Sequence, residues 1–160
     1  MAGETKVNDT RLRAFMKRIK PMQKGIYVTV GVQGTEAEAA HDESGTPMST
    51  IAAVHEFGSM DGRIPERSYL RSTYDENRRK YEQMILQGAQ NSTKGKETPK
   101  QAAFKTGETM RADVIKRIKA GIPPELSQRT IDKKGSSVPL IDTGQLVASI
   151  TTVVHEGKPK

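Results

Sequence analysis

Asp142 stands in the segment of the chain that looks most like catalytic machinery. Residues 140–145 read Leu-Ile-Asp-Thr-Gly-Gln. In aspartic proteases an apolar pair precedes Asp-Thr-Gly, and two such aspartates lie together and share one proton. Only 18 residues follow Asp142, which is too few for the further strands with which a dimeric protease builds its substrate cleft. We therefore interpret Asp142 or Thr143 as a helix cap for residues 144–148.

The histidines offer no recognisable metal site. His55 and Glu56 begin like the zinc-protease signature, but that motif needs a second histidine one helical turn later, where the chain has Ser59. His41 and His155 lie in a polar loop and near the C-terminus, without a full set of ligands at metal spacing. The chain has no cysteine, which excludes disulfides and thiolate nucleophiles. Because phosphate-loop and serine-nucleophile motifs are also missing, we expect no enzymatic activity, no metal and no cofactor.

Composition indicates a basic chain of single-domain size. It has 160 residues and a formal charge of +7, with 34% hydrophobic and 4% aromatic residues. So little apolar material indicates that neighbouring subunits supply part of the stabilising burial. The positive charge suits contact with nucleic acid or with an acidic protein surface. Lysine and arginine are nevertheless interleaved with acids along the chain, which is also typical of an ordinary solvated surface.

No segment predicts export or insertion into a membrane. Residues 1–10 are polar and mixed in charge, without the apolar core of a signal peptide. Nowhere do about 18 apolar residues run together, as a membrane-spanning helix requires. We expect a soluble protein that is made in a cytoplasm and has no membrane contact.

The first half of the chain predicts a helix and then a strand. A helix capped by Asn8 or Asp9 should stop at Pro21. We expect its apolar face to pack in the core: Leu12, Phe15, Met16 and Ile19. Residues 26–32 are rich in β-branched side chains and predict a strand.

A polar loop and a short helix should follow. Residues 33–48 are acidic and contain turn formers and small apolar residues, so they offer little burial to offset the entropy of ordering. We expect this loop to be mobile until a partner orders it. Ser49 can cap the next helix, and Gly58 can end it.

The second half predicts two long helices and a closing strand. One helix should begin at Pro65 and the other at Pro99, because proline suits the first turn. The apolar face of the first is Leu70, Tyr74, Tyr81, Met84, Ile85 and Gly88. Small residues at Ala103 and Gly107 should let the second helix approach a neighbour closely. Residues 149–155 predict the closing strand.

These elements predict an α+β fold. We expect a small, mainly antiparallel sheet packed against two long helices plus an N-terminal helix, with extended loops. One domain should cover residues 1–160, with a flexible tail at 156–160.

The residues around Asp142 predict a structural clasp that pins the closing strand. Pro139 fixes an extended entry, and Asp142 and Thr143 can accept hydrogen bonds from free amides of the next turn. Gly144 and Leu146 complete the clasp, because Leu146 adds an apolar contact on one side of that turn.

Residues 55–70 predict an assembly surface. An apolar residue beside a glycine break, followed by arginine and aromatic residues, supplies the residue types enriched at interface anchors. The hypothesis assigns the interface to Phe57, Arg63, Ile64, Arg67, Tyr69 and Leu70. It expects that alanine at both 67 and 69 leaves the protomer folded but impairs assembly. The alternative is that Phe57 and Tyr69 fill the protomer's own core.

Three segments together carry a family resemblance. They are residues 53–58 (Ala-Val-His-Glu-Phe-Gly), residues 63–70 (Arg-Ile-Pro-Glu-Arg-Ser-Tyr-Leu) and residues 140–150, which begin Leu-Ile-Asp-Thr-Gly-Gln-Leu. In order and spacing they resemble the tailed-bacteriophage virion-morphogenesis proteins that complete the tail at the head–tail neck, over most of the chain. Ser68 and Tyr69 stand where that family usually has proline and phenylalanine.

The resemblance implies a non-enzymatic structural protein of the virion neck, assembled in the host cytoplasm. Such proteins form a ring, usually a hexamer, between the head–tail connector or adaptor and the tail terminator or tail tube protein. Genomic DNA passes through the ring, and a basic lumen would contact its phosphates without reading sequence. A basic nucleic-acid-binding protein that acts alone is the main alternative, followed by an enzyme.

Overall fold

Six helices and two strands make up the part of the chain that a computed structural model describes, residues 9–41, 44–125 and 144–159. In chain order they are α1 (Asp9–Lys24), β1 (Ile26–Val32), α2 (Thr35–Glu38), α3 (Met48–Phe57), α4 (Arg71–Thr93), α5 (Pro99–Ala120), α6 (Gln145–Ala148) and β2 (Ile150–Glu156). The α+β prediction is confirmed: α4 and α5 are the long helices, and they accompany a small antiparallel sheet and the N-terminal helix α1.

The sheet joins two strands that are distant in sequence. β1 and β2 run antiparallel, with Ile26 opposite Glu156 and Val32 opposite Ile150. Beyond the strand ends, the amide of Gly157 donates to the carbonyl of Gly25 at 2.9 Å. Both strands lie where β-branched residues predicted them, because that signal is local to each segment.

Helix α5 covers the sheet at very short range. It packs against both strands and against α4, and Gly107 is the point of closest approach. A Cβ placed on Gly107 would lie 2.5 Å from side-chain methyls of Val28 and Thr152. The expectation that small residues let this helix approach a neighbour is confirmed at Gly107. Its predicted start is confirmed too, since Thr98 and Gln101 form a reciprocal capping box.

We expect Gly107→Ala to destabilise the protein. In an open helix this change gains about 0.5–1 kcal/mol from helix propensity, but here the added methyl must displace the sheet. The free energy of unfolding should fall by about 1–3 kcal/mol, measured by urea denaturation. Ala112→Gly, at an exposed position of α5, is the control and should cost only about 0.5–1 kcal/mol. A Gly107→Ala protein that is more stable than wild type would contradict the close contact.

The core lies where α3, α5, α6 and β2 meet. Its buried apolar members are Met48, Ala52, Tyr69, Val114, Ile118, Ile122, Leu146 and Ile150. Gly144 precedes α6 in the left-handed conformation at φ 80°, which suits glycine. Leu146 belongs to the same core as Ile150 of β2. The clasp stays a prediction, because Pro139, Asp142 and Thr143 lie outside the described residues.

Two predictions about α1 are wrong. The helix does not stop at Pro21 but continues through it to Lys24, because a proline in the last turn removes only one backbone hydrogen bond. Its apolar face is also not core: Leu12, Phe15 and Met16 remain between 41% and 49% exposed. The reason is that α1 packs against α4 over a limited area.

Helix α4 also differs from its prediction. Tyr74 and Ile85 are exposed, and the buried face consists of Thr73, Tyr81, Gly88 and Ser92. Small polar residues can be buried here because their hydroxyls donate back to the preceding turn: Thr73 to the carbonyl of Tyr69 at 2.6 Å and Ser92 to that of Gly88 at 2.8 Å.

Residues 33–48, predicted as a mobile loop, contain more local structure than a featureless loop. It forms α2 and a β-bridge between Ala40 and Pro47, and the amide of Met48 donates to the carbonyl of Ala39 at 2.9 Å. Helix α3 begins at Met48 rather than after Ser49, and no side chain caps it. Mobility of the segment in solution stays a prediction.

Among the helices in the described ranges, none combines the length and apolarity that a membrane crossing needs.

Candidate assembly surface

Glu56 organises the connection between α3 and α4. Its side chain is buried, with the residue only 3% exposed, and its carboxylate accepts backbone N–H bonds from Tyr69 at 2.8 Å, Leu70 at 2.9 Å and Arg71 at 3.1 Å. The first amides of a helix have no partner within that helix. Glu56 therefore caps α4 from the end of the preceding helix.

This cap explains why α4 starts at Arg71 and not at Pro65. Helix termini are set by the partners of their free amides, and those of residues 69–71 face the Glu56 carboxylate. Before them the chain stays non-helical, and the amide of Arg67 donates to the carbonyl of His55 at 2.8 Å. The predicted start at Pro65 is thus wrong because the cap comes from a residue distant in sequence.

Side chains add further hydrogen bonds to the same carboxylate. The hydroxyl of Ser68 donates to it at 2.7 Å and the Nε of Arg71 at 3.1 Å. Burial alone would raise the pKa of Glu56, but the hydrogen bonds from Leu70, Arg71, Ser68 and Tyr69 outweigh burial and hold this pKa below its ordinary value. Glu56 is therefore a charged, fully engaged anchor.

Residues 58–64 form a loop that is held by its own hydrogen bonds. The amide of Ser59 donates to the carbonyl of Ile64 at 2.9 Å, and the amide of Ile64 donates to Ser59 Oγ at 2.8 Å. Asp61 accepts from the Ser59 hydroxyl at 2.6 Å and from the amide of Arg63 at 3.1 Å, and these two bonds lower the pKa of Asp61. Both ends of the loop are thereby tied together.

The loop presents apolar side chains to water. Met60 at its tip is fully exposed, Phe57 at its entry is 62% exposed, and Ile64 at its exit is partly exposed. The guanidinium of Arg71 lies 4.7 Å from the centre of the Phe57 ring, a cation–π contact that fixes the ring on the surface. Arg63 is exposed beside them. We call Phe57, Met60 and Ile64 the loop patch.

The structure divides the interface set predicted from sequence. Phe57, Arg63 and Ile64 are together on the surface, whereas Arg67 and Tyr69 are buried within the protomer and Leu70 packs partly buried against the core. In this conformation Arg67 and Tyr69 are excluded as surface anchors. Because both are buried, we now expect alanine at both positions to destabilise the protomer.

Arg67 has an internal role instead. Its Nε and Nη2 both donate to the carbonyl of Pro124, at 3.1 and 2.8 Å, and burial lowers the pKa of its guanidinium. It joins the segment before α4 to the chain that follows α5. Arginine and tyrosine are enriched at interfaces and also suit buried hydrogen-bonded positions, so residue type alone did not distinguish the two roles.

Sequence reasoning missed Met60 and Glu56. Met60 lies between Gly58 and Gly62, and a large apolar residue in such a turn-forming stretch is a signal for an exposed tip. Glu56 is the only acidic residue of α3, so a carboxylate in an otherwise apolar helix was the available signal. Its partners lie 13–15 residues further along the chain, and no local pattern names them.

The arrangement can present a pre-shaped apolar patch with arginines at its border. In the described ranges, no three His, Asp or Glu side chains are grouped so that they could hold a metal ion. The lone pairs of the Glu56 carboxylate are taken up by its five donors.

No protein-family model, curated protein or solved structure matches this chain.

Proposed function

We propose that this protein is a structural component of the tailed-bacteriophage virion neck, where it completes the tail and joins it to the head connector. It acts as a ring of its own copies through which DNA passes. Its neighbours are the head–tail connector or adaptor protein on one side and the tail terminator or tail tube protein on the other. The support is the resemblance of residues 53–58 and 63–70, together with the surface that these residues build.

The loop patch is the observation that carries the proposal. A fully exposed methionine at the tip of a loop closed by hydrogen bonds, with Phe57 and Ile64 exposed at the two ends of the same loop, groups apolar area in water, as is typical of a docking surface. Because the loop is already ordered, it loses little conformational entropy when a partner covers it. Such a patch fits repeated docking between virion subunits.

A ring needs a head-to-tail contact between two different surfaces of each subunit. The protein offers exposed apolar side chains on separate elements, on α1 and on the loop patch. Its buried apolar core is small, so association would supply additional burial, as the composition predicts.

Nucleic-acid binding by a protein that acts alone is the second candidate. The observation in its favour is the excess of cations on α1, which carries six basic residues and one acid. Phosphate contacts alone would give a steep loss of affinity with salt and no sequence preference. A neck ring with a basic lumen would show the same weak, non-specific binding, so the head–tail joining assay below separates the two.

We expect Met60→Asp combined with Ile64→Asp to uncouple folding from assembly. Both side chains face solvent, so the free energy of unfolding should change by less than about 1 kcal/mol. Two charges in the centre of a docked apolar patch should weaken the contact about a hundredfold. In a phage that depends on the variant, electron microscopy should show full heads and separate tails.

Leu86→Asp is the matched control, because Leu86 is a similarly exposed apolar residue on α4, away from the loop patch. It should leave joining intact. Normal infectious particles from the double variant, at normal protein levels, would refute the role of the loop patch in the neck.

A further inference from the structure

Helix α1 has an apolar stripe with cations along both sides. At about 100° per residue, Leu12, Phe15 and Met16 fall on one face. Lys20 lies along one edge of that face, with Lys17 about 60° further round the helix, and Arg11 and Arg18 lie along the other edge. The stripe residues are 41–49% exposed, so α1 presents a basic, amphipathic surface that the described residues of the protomer do not cover.

Several of these cations have no acidic partner among the residues that the structure describes. Arg13 pairs with Asp9 at 2.5 Å within α1. Within the described ranges, Arg11, Lys17 and Lys20 form no ion pair. Their charge is therefore free to attract an acidic surface from outside.

The same chain carries such a surface. Residues 25–62, here named the acidic segment, contain six acidic residues and no lysine or arginine. Of these acids, Glu56 is buried and Asp61 pairs with Arg63, so the exposed unpaired charge that the structure describes lies on α2. Glu36 and Glu38 lie exposed on α2, and among the described residues they form no ion pair either. The chain thus separates unpaired cations on α1 from unpaired anions on α2.

The acidic segment also offers apolar area at a matching length. Helix α2 packs against α3, near its N-terminal end, and the loop patch follows from the C-terminal end of α3 at Phe57. Helix α3 is about 15 Å long and α1 about 24 Å long. A helix such as α1 laid along α3 therefore reaches both the carboxylates of α2 and the exposed side chains of Phe57 and Met60.

We propose that α1 of one protomer docks along α3 of a second copy, with its lysines against Glu36 and Glu38 and its apolar stripe against α3 and the loop patch. The contact is heterologous, so each copy gives one α1 and receives another, and repetition closes a ring. A phosphate backbone would neutralise the cations but would cover none of the apolar stripe. This contact rests on the ring of the proposed function and identifies the surfaces that form it.

Charge reversal on each side tests the contact in the full-length protein. The donor variant is Lys17→Glu with Lys20→Glu, and the acceptor variant is Glu36→Lys with Glu38→Lys. Lys116→Glu with Lys119→Glu, at exposed positions of α5, makes the same change of charge elsewhere and serves as the control. Far-UV circular dichroism and urea denaturation confirm that all three proteins fold.

Sedimentation velocity measures self-association. We expect the wild type and the control to associate, and each reversal variant to show a Kd about tenfold higher. A mixture of the donor and acceptor variants in equal amounts should recover association, because every contact in the mixture again pairs opposite charges. Higher salt should weaken association of the wild type and of the mixture alike.

Three results would overturn the contact: a wild type that remains monomeric at about 1 mM, reversal variants that associate like the wild type, or a mixture that does not recover. A donor variant that loses binding to duplex DNA but associates normally would assign α1 to nucleic acid instead. If rings form without α1, the neck function stands and only the contact fails. If mixing restores association but removal of the protein leaves heads joined to tails, the neck function fails and the contact stands.

Discussion

Glu56→Ala should lower the free energy of unfolding by about 3–5 kcal/mol at pH 7. The change removes the acceptor of three backbone amides at the start of α4 and of the Ser68 hydroxyl. It also leaves donors buried without partners, which costs more than the hydrogen bonds themselves contribute. Chemical denaturation followed by circular dichroism measures the loss.

The charge of Glu56 can be separated from its shape by Glu56→Gln. A glutamine retains one acceptor oxygen but turns an NH2 group toward backbone donors, so we expect a loss of about 1–3 kcal/mol at pH 7. The folded pKa of Glu56 is below its ordinary value. Its contribution is therefore complete above the unfolded pKa of about 4.3 and is lost as pH falls through the folded pKa.

The difference in stability between wild type and Glu56→Gln should consequently shrink as pH falls below the unfolded pKa of about 4.3 and on through the folded pKa of Glu56. Asp61, Glu97 and Glu156 also have lowered pKa values, so both proteins lose stability in acid, and only the difference between them reports Glu56. A difference that is constant from pH 3 to pH 7, or absent at pH 7, would show that the carboxylate charge does not hold the cap.

An element could be predicted from sequence where the residues that determine it lie close to one another in the chain. Strands β1 and β2 and the start of α5 were predictable, because β-branched runs and the Thr98–Gln101 capping box act within a few residues. The start of α4 was not predictable, because its cap is Glu56, which belongs to another helix.

The candidate site was predictable in location but not in the role of each residue. The glycines and prolines of residues 58–65 mark a loop, and Phe57, Arg63 and Ile64 are indeed on its surface. Tyr69 was assigned to the same surface because of its residue type. Its burial depends on the path of the chain before α4, which the hydrogen bond from the Tyr69 amide to the Glu56 carboxylate fixes. Such a tertiary contact cannot be read from residue type.

Tyr69→Ala should be among the most destabilising single substitutions in the protein. The ring is fully buried in the core beside Ala52, and its hydroxyl donates to the Ala52 carbonyl at 3.3 Å. Burial raises the pKa of Tyr69, and the nearby charge of Glu56 raises it further. The hydroxyl therefore remains a donor at any pH the folded protein meets. Truncation of such a ring costs about 3–5 kcal/mol, and Tyr69→Phe, which loses only the hydrogen bond, should cost about 1 kcal/mol.

Phe57→Ala provides the comparison that separates a core role from an interface role. Phe57 is also aromatic but is 62% exposed, so its loss should cost less than about 1 kcal/mol of folding stability, mostly through the contact with Arg71. Its effect should appear in assembly. Head–tail joining should therefore fail with both variants, and urea denaturation should separate the causes. Tyr69→Ala loses joining because it unfolds, and Phe57→Ala loses it while folded. If Tyr69→Ala retains wild-type stability and still fails to join heads to tails, Tyr69 acts at an interface, and its burial in the isolated protomer must be reversed during assembly.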